Sequence, residues 1–347
     1  MKDFKIHFSS FAKTNIFEDA INDFDYAPKK VFKAHTYPLH LEPHPGFNAE
    51  RDGRKLREAI EGSGTDEQCI IDILTTRTNV QRQKLATLDR DLIDDLKSKM
   101  SGKFRDIIIG LMTPLNEYLC NELHKSLSGL STDEEALVEI LCTKNNKEMA
   151  QLIVDYDDLY NRPLVEHLCS GTGGYFRRLL IMIVTGSRDQ GKFVDPALAR
   201  KHATALDDTG KGKLICSDEE VFNRILSHDN LALLRKVFEE FKNKTGKTIE
   251  EEVIQDISGD LKEAMLAIIE SVQSGPAFFA KRLFLAMDGI MNRDATVTRI
   301  VVSRSEIDLG LIKSEFERLY DRTLLSVVKN KTSGDYKHVL CRIIGGV

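Results

Sequence analysis

The sequence predicts an all-α fold of four stacked repeats, on three observations. One loop-and-helix phrase occurs four times. A second phrase trails each copy at a near-constant distance. No segment alternates apolar and polar residues long enough to form a strand. The first phrase reads Gly62-Ser63-Gly64-Thr65-Asp66-Glu67 before an apolar helix face, then Gly129-Leu130-Ser131-Thr132-Asp133-Glu134, Ile215-Cys216-Ser217-Asp218-Glu219-Glu220 and Gly289-Ile290-Met291-Asn292-Arg293-Asp294. The second reads Ser101-Gly102-Lys103-Phe104, Gly173-Gly174-Tyr175-Phe176, Ser258-Gly259-Asp260-Leu261 and Ser333-Gly334-Asp335-Tyr336. The spacing is 42 residues from Thr132 to Gly174, from Ser217 to Gly259 and from Asn292 to Gly334, but 37 from Thr65 to Gly102. The first repeat has therefore lost five residues, between Leu85 and Leu92.

Residues 1–46 precede the repeats and carry six of the 17 phenylalanines. Asn15 with Glu18 suits a capping box, and Phe17, Ala20, Ile21 and Phe24 make an apolar stripe, so a short amphipathic helix is expected. Its open roles are docking on the repeats, engaging a protein partner or touching lipid. His35, His40 and His44 lie in a proline-rich stretch whose spacing is poor for metal.

Repeat 1 spans 47–114. A helix over Leu56, Ala59 and Ile60 is broken by Gly62 and Gly64. Thr65 is expected to cap the next helix, with Glu67 in its first turn. Apolar faces at Leu85, at Leu92–Leu96 and at Phe104–Leu111 complete five short helices, with stops at Ser101-Gly102 and Thr113-Pro114. The same reading places repeat 2 at 115–187, a polar linker at 188–197, repeat 3 at 198–275 and repeat 4 at 276–347. Stacked units of one kind share a continuous core, so the repeat overrides the two-domain expectation from length.

Composition narrows function. With 49 basic and 54 acidic residues the net charge is −5, which excludes the basic field of a nucleic-acid binder. The six cysteines form no Cys-x-x-Cys pair and read as reduced, packed thiols. There is no signal-peptide pattern and no run near the roughly 20 apolar residues of a membrane span. A cytoplasmic protein that sits on a membrane rather than in one is expected.

These repeats resemble the annexin family. The carrying stretches are HPGFNAERDGRKLREAIEGSGTDEQCIIDILTTRTNVQRQKL, LVEILCTKNNKEMAQLI, LLRKVFEEFKNKTGKTIEEEVI and IVVSRSEIDLGLIKSEFERLYDRTLLSVVKNKTSGDYKHVL. The resemblance covers about residues 44–345 and is similar to invertebrate, especially insect, members. It implies four five-helix repeats in a curved disc, with loops that bind calcium and, through it, anionic phospholipid. It implies no enzyme.

Calcium takes six to eight oxygens at about 2.3–2.6 Å. The resemblance implies loop carbonyls from the first phrase and a carboxylate just before the second. In repeat 1 the carbonyls of Ile60, Gly62 and Gly64 are expected to be available, but Lys99 stands at the acid position. In repeat 2 that position is Gly171. In repeat 3 it is Asp256, with Gly212, Leu214 and Cys216 as carbonyl donors in an altered loop. In repeat 4 it is Lys331, and Met291 and Asn292 replace the loop residues. No repeat keeps both halves, so calcium binding is expected to be weak. Minor sites at Thr65 with Glu67, and at Thr132 with Glu134, compete with the plainer reading of those acids as helix-dipole partners. Lys99 and Lys331 either meet an anionic headgroup directly or are simply solvated. A protein adaptor acting through the Phe-rich tail is the alternative function. Asp155, His167 and Cys169 carry little weight as a catalytic triad.

Overall fold

The computed structural model describes residues 41–61, 64–129, 131–209, 219–289 and 292–345. These residues form twenty α-helices, five per repeat, and no strand. Repeat 1 contains α1 (Ala49–Glu61), α2 (Glu67–Leu74), α3 (Asn79–Leu88), α4 (Leu92–Lys99) and α5 (Gly102–Met112). Repeat 2 contains α6 (Leu115–Ser128), α7 (Glu134–Leu141), α8 (Asn146–Tyr160), α9 (Leu164–Gly171) and α10 (Gly174–Thr185). Repeat 3 contains α11 (Pro196–Thr209), α12 (Glu219–His228), α13 (Leu231–Thr245), α14 (Ile249–Asp256) and α15 (Gly259–Gln273). Repeat 4 contains α16 (Gly275–Asp288), α17 (Asp294–Arg304), α18 (Leu309–Tyr320), α19 (Leu324–Lys331) and α20 (Gly334–Gly345). The expected tail helix, the three loop donors of repeat 3, Gly62 and Met291 lie outside the described residues.

The two sequence phrases have local physical causes. In the first, a backbone bond closes the loop from Asp66 N to Ala59 O (2.8 Å), Asp133 N to Ser126 O (3.1 Å) and Arg293 N to Ala286 O (2.8 Å). The same closing bond is thus made across three different loop sequences. In the second, Gly102, Gly174, Gly259 and Gly334 have φ of +59, +56, +66 and +63°. A Cβ at any of the four would meet nothing within 4 Å, so the requirement is torsional rather than steric.

One helix cap differs from expectation. Asp66, not Thr65, is the N-cap of α2, its carboxylate accepting from Cys69 N at 2.9 Å. Asp133 does the same for Ala136 N at 3.0 Å. The Asp side chain sits one residue nearer the orphan amides, which leaves the preceding threonine hydroxyl free for other work.

The five-residue deletion falls in the third helix of repeat 1. Helix α3 has 10 residues where α8 and α13 have 15. Those longer helices end in left-handed residues, Asn161 (φ +48°) and Gly246 (φ +77°), whereas α3 ends at Asp89 in an extended conformation. Arg57 on α1 holds the shortened connection through Asp89, with Nε–Oδ2 at 2.9 Å, and through Asp95.

One continuous apolar cluster runs through all four repeats. Although the linker divides the sequence into 1–2 and 3–4, packing joins repeat 1 to repeat 4, through α2 and α5 against α20 and α17. It joins repeat 2 to repeat 3, through α7 and α10 against α15 and α12. Buried ion pairs mark the seams. Arg82 reaches Glu306 at 2.8 Å, between repeats 1 and 4. Arg299 of α17 grips Glu139 of α7 with two bonds, 2.7 and 3.2 Å, between repeats 4 and 2. Both members of that second pair are almost wholly buried, so removing one partner leaves an uncompensated charge. We expect Glu139→Ala to lower stability by about 3–5 kcal/mol in denaturant unfolding. Gly174→Ala should cost about 1–2 kcal/mol, although its side chain would have open space.

Candidate functional site

In repeats 2 and 4 the fold brings the two phrases together at one end of the repeat. In repeat 2, Thr132 Oγ1 donates to Gly171 O at 2.6 Å, across 39 residues of sequence. In repeat 4, Asn292 Nδ2 donates to Lys331 O across the same separation. The first loop therefore rests on the last carbonyls of the fourth helix. In repeat 1 this latch is not made: the Thr65 hydroxyl turns to the Glu67 carboxylate. The partly buried Glu67 thus lies beside Thr65, whereas Gly64 is exposed and Ile60 is a buried residue of α1.

The acid positions differ in physical character. Lys99 ends α4 and Lys331 ends α19; both are exposed, and both suit the negative pole of a helix C-terminus. Gly171 is sterically confined, because a Cβ there would stand 2.8 Å from Leu127 Cδ2. That contact is not readable from the sequence, where glycine looks like simple loss of an acid. Asp256 is the opposite case. It is a carboxylate in the last turn of α14, opposed by the helix dipole, and its Oδ2 is buried without a hydrogen-bond partner. An orphaned anionic oxygen in that place fits a cation. Among the described residues no group of three or more His, Cys, Asp or Glu side chains forms a ready metal cluster. Oxygens from the backbone must therefore supply most of any coordination shell.

A polar cluster missed by the sequence reading lies close to the repeat 2 loops. His124 stacks on Tyr160 with centroids 3.8 Å apart, and Tyr156 Oη lies 2.6 Å from His167 Nδ1. Ser128, next to the loop, lies 3.3 Å from His124 Nε2. Repeat 4 has an apolar version at the same positions, with Phe284 stacked on Tyr320 at 3.8 Å and Phe316 beside it. His167 is thus tied to Tyr156, and Asp155 accepts from Asn116 and Gln151. These contacts assemble no triad with the exposed Cys169.

Four five-helix repeats, with the first loop held against the end of the fourth helix in repeats 2 and 4, define an all-α repeat protein. The chain belongs to the annexin family: the annexin model matches residues 51–111, 118–183, 203–268 and 278–343. It is 54% identical over 306 residues to Annexin B10 of Drosophila melanogaster, covering 86% of this chain and 95% of that protein. It is 40% identical over 306 residues to Annexin A4 of Rattus norvegicus, covering 87% and 96%. The solved structure of annexin III superposes with a TM-score of 0.85 at 37% identity, covering 88% of this chain and 96% of that one. Annexins are non-enzymatic, calcium-dependent proteins that bind phospholipid at the membrane periphery. Among the described residues no helix is long and apolar enough to cross a membrane.

Burial holds the His124 and His167 rings below the ordinary imidazole value of about 6.5, and Arg162 adds to the effect. Folding therefore favours the neutral rings. Their contribution is complete above about pH 6.5 and is lost as pH falls through the lower folded-state values. The unfolding midpoint should drop between pH 7.5 and 5.5. Installing the repeat 4 residues, His124→Phe with Tyr156→Phe and His167→Val, should make that drop shallower. An unchanged slope would show that the cluster is not titrating.

Proposed function

We propose that this annexin docks on anionic membranes with a reduced calcium requirement, and that its principal calcium position is in repeat 3. The observation that carries this reading is Asp256, whose buried Oδ2 has no hydrogen-bond partner at an unfavourable helix pole. The family resemblance assigns the carbonyl donors of this repeat to Gly212, Leu214 and Cys216. Repeats 1, 2 and 4 offer Lys99, Gly171 and Lys331 instead of an acid. An ammonium in place of a carboxylate repels a divalent ion and removes two ligand oxygens. Thr65 and Glu67 form at most a minor site, since Glu67 already accepts from the Thr65 hydroxyl. The exposed Lys99 and Lys331 would contact headgroup phosphate directly, each adding about 1 kcal/mol near a charged leaflet.

Calorimetry with phosphatidylserine liposomes separates these contributions. The wild type should show one dominant calcium-binding event, abolished by Asp256→Asn. Micromolar binding at several sites that survives Asp256→Asn would refute the assignment. In chelator, residual liposome sedimentation should fall in the Lys99→Glu, Lys331→Asp variant; no sedimentation at all would remove the direct-phosphate contribution.

A protein partner for residues 1–46 is the second reading. Leu41 N donates to Ser305 O at 2.9 Å, and the Gln81 side chain bridges His44 N and O at 3.1 Å each. Ser305 follows α17 and Gln81 begins α3, at the ends remote from the loops. Residues 41–44 thus join the body at the end away from the loops. Deleting residues 1–40 should remove pull-down partners and leave liposome binding intact.

A further inference from the structure

A cavity of about 550 Å³ lies where repeats 2, 3 and 4 meet the linker. Its position follows from topology. Helices α7, α10, α15 and α17 begin at the loops, and the cavity is lined by residues at or just beyond their far ends, including Cys142, Arg188, Val272 and Arg304. The cavity therefore belongs to the face opposite the loops, and its volume is that of a small-molecule site.

Its charge is unbalanced. Lys144, Arg188, Lys192, Arg235 and Arg304 line it against three acids, Glu148, Asp189 and Asp308. All three acids are hydrogen-bonded, but among the described residues only Asp308 is in an ion pair. Asp308 takes both arms of Arg304 at 2.7 Å, Glu148 accepts from Asn145 N at 3.0 Å, and Asp189 accepts from Asn230 Nδ2 and Gly191 N at 2.8 Å each. The Arg188 guanidinium donates to the carbonyls of Asp229 and Leu226, which neutralise no charge. The half-buried Lys144 makes no hydrogen bond or ion pair with any described residue. Burial lowers its pKa, with Glu148 opposing and Arg304 reinforcing the shift. A cation in this position is costly unless an anion joins it. The remaining wall is apolar: Leu231, Phe279, Ile307 and Leu311.

We propose that this cavity binds the phosphate of an organic phosphate, with Lys144 and Arg188 on the anion and the apolar wall against its organic body. Because the site faces away from the loops, the phosphate comes either from a soluble compound of nucleotide size or from a headgroup of a second bilayer.

The test uses the full chain. With chelator present, ATP and inorganic phosphate are titrated by calorimetry. ATP should bind once per chain, more tightly than inorganic phosphate, and more weakly as salt rises. Lys144→Met should weaken ATP at least tenfold while leaving the unfolding midpoint unchanged or higher, since it removes an unpaired charge. Lys144→Arg should restore binding in part, and Lys99→Ala should leave it unaltered. In a second arm, with calcium present, aggregation of phosphatidic acid vesicles is followed by turbidity. A loss of aggregation in Lys144→Met without ATP binding would assign the phosphate to a second bilayer. ATP binding equal in wild type and Lys144→Met, or no response in either arm, overturns the proposal.

Discussion

A left-handed glycine at the start of the fifth helix of each repeat sets the geometry on which everything else depends. The chain leaves the fourth helix, passes two extended residues, and turns through a glycine with φ near +60° into the fifth helix. That turn directs the last carbonyls of the fourth helix toward the first loop, about 40 residues earlier. The Thr132–Gly171 and Asn292–Lys331 bonds depend on it. An L-residue meets its own backbone there rather than a neighbour, so surrounding space does not relieve the strain. The glycine stands in all four repeats, although the loops it serves have diverged.

The fold was legible because it is written four times. Periodicity, glycine breaks and a constant spacing reinforce one another, and the shortened first repeat showed as a gap in that spacing. The site was legible only in part. In the sequence, Lys99 and Lys331 stand where the family resemblance implies carboxylates, and Asp256 is an acid at such a position. The structure adds that the Asp256 Oδ2 is buried without a hydrogen-bond partner. The confinement of Gly171 by Leu127 is a contact between residues 44 apart in sequence and leaves no local pattern. The displacement of Thr65 by Asp66 as helix cap turned on a single residue, where two adjacent side chains were both good caps. The His124–Tyr156–His167 cluster escaped notice because each member occupies an ordinary core position. Only comparison with Phe284 and Phe316 reveals the exchange of apolar for titratable rings.

Charge inside the body does two kinds of work. Between repeats 4 and 2, burial disfavours the Arg299 guanidinium, but Glu139 and Glu122 outweigh it and raise its pKa. A paired, forked contact of this kind adds directional specificity to apolar packing that would otherwise tolerate sliding. Around Lys144, five cations line the cavity against three acids. The seams are thus neutralised internally, while the cavity lining keeps more cations than acids.

The pairing of repeat 1 with repeat 4 also constrains how the chain is made. Glu306 accepts from Asn79 N and Arg82 Nη2, contacts separated by 227 and 224 residues. Repeats 2 and 3 are consecutive, so their interface can form as soon as both have emerged from the ribosome. The first repeat must wait for the last. At about 5–20 residues per second, synthesis of the intervening chain takes on the order of tens of seconds. Throughout that interval the faces of α2 and α5 that will cover α20 and α17 have no native cover. Repeat 1, made before the other three, is therefore among the last to be completed, and the nascent chain is most open to aggregation or chaperone capture there.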